Sequence, residues 1–563
     1  MVVGGSLTRG VEVRLAPGVS VEDVKVGTFV TIHGERHHFF GVITDVALEA
    51  ADQHFKARLD VAGPDADERS EDGGPSFLSR VLAGTAAYGT LQVLPTLVLS
   101  GQAEALLEGP TPAKTVPAHF SRVYAASEGD VQRVFGREDE RHFHIGTPLD
   151  MEVKLCLDME ELIKRSNGVF GKSGTGKSFL TRLLLVGMLQ RTGAATLIFD
   201  MHSEYGWQAR DPERGGAVKG LKQLFGHRVA VFTLDEEHAR RRRFQPDVVV
   251  RIGYEEVQAE DVELLAAFLN LTQNAQQAVA RIARRYGRGW LQAFLELDAE
   301  GVAELARELN EHEGTLSALQ RRLKRLERLP FLVPRGADPA PPAGPGPTPS
   351  AGPGHSLARI LEYLDRGMHV VLEFGRYGRD LTAYLLVANL LTRRIHERYV
   401  QRMEEAEGQR GQEPRPLVIV IEEAHRFLTP TLAPLTVFGT IAREMRKYNV
   451  TLLVVDQRPS GIDTEVLSQL GTKLVCLLDD EKDVDAVLAG APGARELRAV
   501  LARLEGRQQA LVFGHAVPMP VVVRVRTYGP EAYRELAPDA VLSREERARR
   551  FEAELLGTEP PEP

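Results

Sequence analysis

The segment Gly171-Lys172-Ser173-Gly174-Thr175-Gly176-Lys177-Ser178 carries the spacing G-x-x-x-x-G-K-[ST]. It follows a short apolar stretch, Gly168-Val-Phe170, and runs into Phe179-Leu-Thr-Arg-Leu-Leu-Leu-Val, which has the composition of a helix. Strand, glycine-rich loop and helix in that order form the setting in which backbone N–H groups can turn inward around phosphate oxygens. The helix N-terminus adds the positive end of its dipole. Lys177 is placed to reach the β- and γ-phosphates and Ser178 to ligate Mg²⁺. ATP and Mg²⁺ are the cofactors this predicts.

Three further strand ends carry groups that could act on such a phosphate. Leu417-Val-Ile-Val-Ile-Glu422-Glu423-Ala-His425 is an apolar run ending in two carboxylates. A buried strand cannot hold charge along its length, so acids gather where it emerges, at the carboxyl edge of the sheet. Glu422 is expected to hold Mg²⁺ through water and Glu423 to polarise the attacking water. Asp200 ends Ala195-Thr-Leu-Ile-Phe199 and precedes Met-His202-Ser-Glu204-Tyr205. Its spacing fits a carboxylate near the metal as well as a helix N-cap. Thr451-Leu-Leu-Val-Val-Asp456 leads into Gln457-Arg458-Pro459-Ser460, where an amide could sense the γ-phosphate. Two basic stretches remain. Ile441-Ala-Arg443-Glu-Met-Arg446-Lys447-Tyr448 reads as a helix that is either a solvated face or the carrier of an arginine finger. Arg240 to Arg243 reads as a loop that is either plainly exposed or tracks DNA phosphates.

These residues need a scaffold. Val229-Ala-Val-Phe232, Val370-Val-Leu372 and Lys473-Leu-Val-Cys-Leu477 join the runs above as short segments apolar on both faces. Such runs suit a parallel sheet covered on each side by helices, so the fold class is α/β, a doubly wound P-loop core of the RecA-like kind. Before it, Val11-Glu-Val-Arg-Leu15, Phe29-Val-Thr-Ile32, Phe39-Phe-Gly-Val-Ile43 and Leu91-Gln-Val-Leu94 alternate between turn residues, as in a small β-barrel. The expected division is a barrel over 1–105, a connecting segment over 106–160, and core over 161–254 and 357–528. A helical insertion over 255–336 carries leucines at spacings of three and four (316, 319, 323, 326). Residues 337–356, rich in Pro, Gly and Ala, predict a flexible loop, and 65–76 an acidic one within the barrel. A tail over 529–563 is expected to hold one charged helix, Ser543 to Leu556.

Bulk properties narrow the classes. A chain of 563 residues with 43% hydrophobic and 26% charged residues suits a soluble protein with a large core. No apolar run approaches the roughly 18–20 residues of a membrane helix, and the N-terminus has no signal-peptide pattern. Cys156 and Cys476 are too few for a disulfide framework or a zinc site, so a cytoplasmic setting is expected. The net charge of −9 argues against a uniformly basic surface while leaving room for a local basic ring.

G-K-S-G-T-G-K-S, D-x-H-x-E-Y at Asp200, I-E-E-A-H at Glu422, I-A-R-E-x-R-K-Y at Ile441 and Q-R-P-S at Gln457, in this order, resemble the HerA family of HerA/FtsK ATPases. The N-terminal barrel is similar to that family's HAS-barrel. The resemblance implies a hexameric ring that translocates double-stranded DNA with ATP. It also implies a NurA-type nuclease docked through the barrel, for end resection in recombinational repair. By the same resemblance Lys177 and Ser178 are the Walker A pair, Glu422 and Glu423 the Walker B pair and Gln457 the sensor. Arg446 is the first choice for the finger and Arg443 the second. Arg165, twelve residues before Lys177, resembles a family arginine that reaches the nucleotide across the subunit boundary. Met445 and Ser203 stand where the family usually has glycine. The alternative is an ATPase pumping DNA or protein in a conjugation or secretion system, which shares the core. A nucleotide-binding scaffold without catalysis is disfavoured by Lys177, Glu422 and Glu423. FtsK itself is disfavoured by the lack of membrane helices and of a winged-helix tail.

Overall fold

A computed structural model describes residues 1–50, 87–99, 109–210, 216–334, 356–407, 413–491 and 493–537, apart from positions 8, 17, 18, 435 and 507. The expected acidic loop at 65–76, nearly all of the Pro-rich segment at 337–356 and the helix at 543–556 lie outside them; Ser356 opens the helix Ser356–Asp365. The chain divides into two compact units. One comprises Met1–Met159, Thr472–Leu477 and Gly490–Arg526; the other comprises Glu160–Gly471, Leu478–Ala489 and Thr527–Pro563.

The first unit opens on an antiparallel sheet. Val2–Ser6 pairs Gly10–Arg14, which pairs Ala87–Leu99; that strand pairs His38–Ala50, which pairs Phe29–His33, and Arg122–Ala125 completes the series. Alternation sends Val11, Val13, Val30, Ile32, Phe39, Ile43, Leu91 and Val93 into one apolar core. Two register shifts, at Phe40/Gly41 and Ile43/Asp45, bend the long strand. At the first, Gly41 is required because a Cβ there would lie 2.6 Å from the carbonyl oxygen of Leu94. Val2 N–H donates to Ser121 O and Phe120 N–H to Val2 O, at 3.0 and 2.9 Å, so the end of the series returns to its start and closes a barrel. Beyond it, Thr472–Val475, Gln509–Gly514, Val521–Val525, His142–Pro148 and Leu155–Asp158 form a second antiparallel ladder. The run at Lys473–Leu477 is a strand over Thr472–Val475, as expected, and on one side it pairs antiparallel with Gln509–Gly514. Burial on both faces makes a run apolar whichever way its neighbour points.

The second unit contains a parallel sheet in the order Val248–Val249, Val229–Thr233, His369–Glu373, Ala195–Asp200, Leu417–Glu422, Val450–Asp456, Asn167–Phe170. From Val229 to Asp456 every residue of the five longer strands is buried, as helices on both faces require. Gln273–Tyr286, Trp290–Glu296, Ala299–Leu309 and Glu313–Leu323 are helices. Their apolar stripes leave Ile282, Trp290, Phe294, Leu316 and Leu319 fully or almost fully buried. Among the described residues no helix is long and apolar enough to cross a membrane.

One buried group predicts how this unit responds to acid. His369 is 2% exposed, with its Nδ1 3.0 Å from Thr196 Oγ1. Burial, followed by Arg228 and Arg415, pushes its pKa down from 6.5 to about 3. The native state therefore holds it neutral while the unfolded chain takes up a proton below about 6.5. Its contribution is fully present above that pH and is lost as pH falls toward 3, by at most about 1.4 kcal/mol per pH unit. The thermal midpoint is expected to drop between pH 7 and pH 5, and His369→Gln to flatten the slope. An equal slope in both proteins, measured by thermal denaturation, would assign the acid sensitivity elsewhere.

Candidate active site

The carboxyl edge of the parallel sheet gathers the strand-end residues. Phe170 lies opposite Asp456, and Glu422 opposite Val455. The loop after Phe170 and the carboxylates after Ile421 therefore emerge at the same edge, two strand spacings or about 10 Å apart. Sequence order could not place them side by side; strand order does.

The loop has the geometry of an anion cradle. Gly171, Gly174 and Gly176 have φ of 152°, 81° and 96°. No atom lies within 4 Å of a Cβ built on Gly174 or Gly176, so that side of the loop is open space. The helix Lys177–Arg191 begins at Gly176 with no side-chain cap, leaving its first N–H groups directed out of the helix. Lys177 Nζ donates to Lys172 O at 2.8 Å, folded back across the loop, and Thr175 Oγ1 donates to the same oxygen at 2.8 Å. Lys172 itself is tied to Asp479 at 2.9 Å. Ser173 and Ser178 lie on the same segment, Ser173 exposed. The expected phosphate ligands are thus brought together by one turn.

Glu422 is 5% exposed. Its Oε1 accepts from the Tyr205 hydroxyl at 2.9 Å, while its Oε2 is buried without a hydrogen-bond partner. A metal-bound water would satisfy that oxygen, so the residue present fits the role expected of it. Burial first, then Asp200 and Glu204, raises its pKa well above the carboxylate range. Asp200 is wholly buried and also raised, by burial and then by Glu204 against the opposing backbone bonds. It caps no helix: it accepts the N–H groups of Glu204 and Tyr205 at 2.9 and 2.8 Å and closes its own turn. Ser203 in that turn sits at φ 55°, the conformation in which glycine is cheapest. Glu423 is also left-handed, at φ 51°, and both its oxygens accept from Gln457 Nε2, at 3.3 and 2.9 Å. The Gln457 amide and the second acid therefore meet. His425 beside them is held by Asp456, its Nδ1 3.0 Å from the carboxylate, which raises its pKa.

Three arginines do not join this cluster. Arg443, near the end of the helix Val437–Glu444, pairs with Glu465 at 3.6 Å. The α-helix stops there, and Arg446 is exposed on the 3-10 turn Met445–Tyr448, above a buried Met445. Arg165 precedes the strand Asn167–Phe170 and packs its stem against Gly471, on the amino edge of the sheet. Six residues of extended chain, roughly 20 Å, separate it from Gly171. The run at Arg240 to Arg243 is half helix and half turn, with Arg242 and Arg243 following the helix end. Arg240 and Arg241 end the helix Glu236–Arg241 and pair with Glu236 and Glu237. Arg242 turns inward onto Glu373 at 3.1 Å.

Glu373 was not anticipated. It ends the strand beside Asp200, wholly buried, and burial and then Asp200 push its pKa up to about 7. The signal was available: an apolar run, Val370-Val-Leu372, ending in an acid, as at Glu422. Tyr205 lay inside a motif already singled out, but nothing local indicated its contact with a residue 217 positions away.

Family models for "Helicase HerA, central domain" and "HAS barrel domain" match residues 143–395 and 1–104. The DNA double-strand break repair helicase HerA of Pyrococcus furiosus is 25% identical over 430 residues, 72% of this chain and 73% of that protein. Its namesake from Sulfurisphaera tokodaii is 37% identical over 113 residues, 20% of this chain and 23% of that one. Among solved structures, the plasmid coupling protein TrwB in complex with ADP and Mg²⁺ aligns at 13% identity and a TM-score of 0.44. That alignment covers 72% of this chain and 93% of TrwB. VirB4 of Thermoanaerobacter pseudethanolicus aligns at 14% identity and 0.42, over 69% and 97%.

Proposed function

Because this chain belongs to the HerA family of ATPases, we propose that it is a motor that translocates double-stranded DNA as a ring of six copies, acting with a NurA-type nuclease in end resection and recombinational repair. It hydrolyses ATP. The observation that carries the reading is the meeting, at one sheet edge, of an open, uncapped glycine loop with a buried carboxylate, one of whose oxygens lacks a partner.

In this reading the backbone of Gly171 to Ser178 and the Lys177 ammonium bind the phosphates. Ser178 and Glu422, with Asp200 behind them, hold Mg²⁺, which when bound neutralises charge on the phosphate oxygens. Glu423 takes a proton from the attacking water, and Gln457, bonded to it, reports the state of the γ-phosphate. Beyond Lys177 and Mg²⁺, a further cation is needed to offset charge developing at the γ-phosphate. Arg446, exposed and on a different turn, supplies it from the adjacent subunit, with Arg443 second. Arg165, at the opposite edge from its own loop, likewise acts across the boundary. The barrel is the docking face. Among the described residues every strongly exposed large apolar side chain falls between Met1 and Tyr124, with Leu48 77% and Phe120 71% exposed. A cytoplasmic setting accompanies this reading.

The test is ATP hydrolysis by the full chain with and without linear duplex DNA, using Lys177→Ala as the blank. Several-fold stimulation by duplex is expected; turnover indifferent to DNA would sink the motor.

A further inference from the structure

We propose that Arg242 and Tyr205 are positioning residues for Glu422: Arg242 anchors the turn from Asp200 to Gln208, and Tyr205, carried on that turn, fixes which Glu422 oxygen faces the metal. The inference rests on the assignment of Glu422 to Mg²⁺ above.

The four-arginine run divides sharply. Arg240 and Arg241 are 76% and 74% exposed and spend their charge on glutamates one turn back. Arg242, only 21% exposed, donates from Nη2 to the carbonyls of Ser203 at 2.9 Å and Gln208 at 2.5 Å. Its Nη1 reaches both oxygens of the buried Glu373, at 3.2 and 3.1 Å. Those two carbonyls bracket Glu204 and Tyr205. From the other side Asp200 accepts both of their N–H groups. Arg182, 2% exposed, donates to Glu204 O at 2.8 and 3.1 Å. The turn is thus gripped at three carbonyls and two amides, and Ser203 holds its left-handed conformation inside that grip.

The consequence reaches Glu422 through one contact. The two oxygens of a carboxylate are chemically equivalent, so without a donor the group can rotate. The wholly buried Tyr205 hydroxyl binds Oε1 at 2.9 Å and leaves Oε2 as the partnerless atom. Such a donor behind a ligating carboxylate orients the ligand and tunes its affinity. Only a planar fork serves Glu373 and two backbone carbonyls together; a lysine keeps the charge but not that geometry.

Binding of a fluorescent non-hydrolysable ATP analogue, titrated with Mg²⁺ and repeated in chelator, tests this in the full chain. Glu422→Gln, Tyr205→Phe and Arg242→Lys are compared with wild type, each with its thermal midpoint. Tyr205→Phe is expected to raise the half-saturating Mg²⁺ about tenfold. Arg242→Lys should shift it the same way, with analogue binding in chelator unchanged in both. If Glu422→Gln shifts the Mg²⁺ requirement and Tyr205→Phe does not, the positioning role is overturned and the site assignment stands. If Glu422→Gln itself leaves the requirement unchanged, the assignment fails and the inference with it. A lowered midpoint in Tyr205→Phe with wild-type Mg²⁺ dependence marks a purely structural tyrosine and also overturns it.

Discussion

Glu423→Gln is expected to lower steady-state ATP hydrolysis by ~10²–10⁴-fold while ATP remains bound. Glu423 follows the last residue of the Leu417–Glu422 strand and is held at φ 51°, at the same sheet edge from which the glycine loop emerges. Glutamine has nearly the same shape and tolerates the same hydrogen-bonded turn, so the variant removes basicity and little else. Gln457 Nε2, at 2.9 Å from one Glu423 oxygen, still has an acceptor in the new amide. In the proposed site nucleotide affinity rests on the loop and on Lys177, neither of which is changed, so it is expected to stay near wild type. Hydrolysis, nucleotide binding and thermal midpoint should be measured on the same preparation. Turnover within tenfold of wild type would remove Glu423 from the chemistry. Lys177→Ala differs in kind: it removes charge stabilisation at the phosphates, so binding and turnover fall together.

The second large effect concerns the subunit boundary. Arg446→Ala alone and Lys177→Ala alone are each expected to be nearly inactive, yet a mixture of the two should recover part of the activity. In a closed ring with heterologous contacts each nucleotide site takes its loop from one copy and its finger from the next. An Arg446→Ala copy beside a Lys177→Ala copy in the right order restores one intact loop facing one intact arginine. At equal amounts and random assembly, about a quarter of the boundaries are of that kind. Hydrolysis is measured after subunits have exchanged, at fixed total protein. No recovery despite demonstrated exchange would place Arg446 outside the trans site, and the same experiment with Arg443→Ala then tests the second choice. Within one protomer Arg443 is already engaged with Glu465, whereas Arg446 projects from the turn after the helix. That difference favours the same order, Arg446 before Arg443, that the family resemblance implies.

Patterns confined to a few consecutive residues were legible in the chain. The glycine loop announces itself because each glycine meets a local backbone demand, visible here as positive φ at 171, 174 and 176. Strands ending in acids at Asp200, Glu422 and Asp456 were legible because a fully buried strand must stay apolar until it emerges. Direction was not legible: Thr472–Val475 pairs antiparallel with Gln509–Gly514, and its apolar run reads the same either way. The arginine run misled because a charge run says nothing about which member turns inward.

The sequence alone established an α/β P-loop core behind a small barrel, and the order of motifs that resembles one family of motors. Both follow from short-range rules, namely periodicity, turn chemistry and loop spacing. Strand order did the rest. It brought the loop of 171–178 and the acids at 422–423 to one edge, because chain segments hundreds of residues apart became neighbours in a parallel sheet. It also set Glu373 beside Asp200 and Tyr205 against Glu422, where burial gave those carboxylates properties that residue type cannot. Desolvation and charge coupling act through space, so they existed for this chain only once the sheet had assembled.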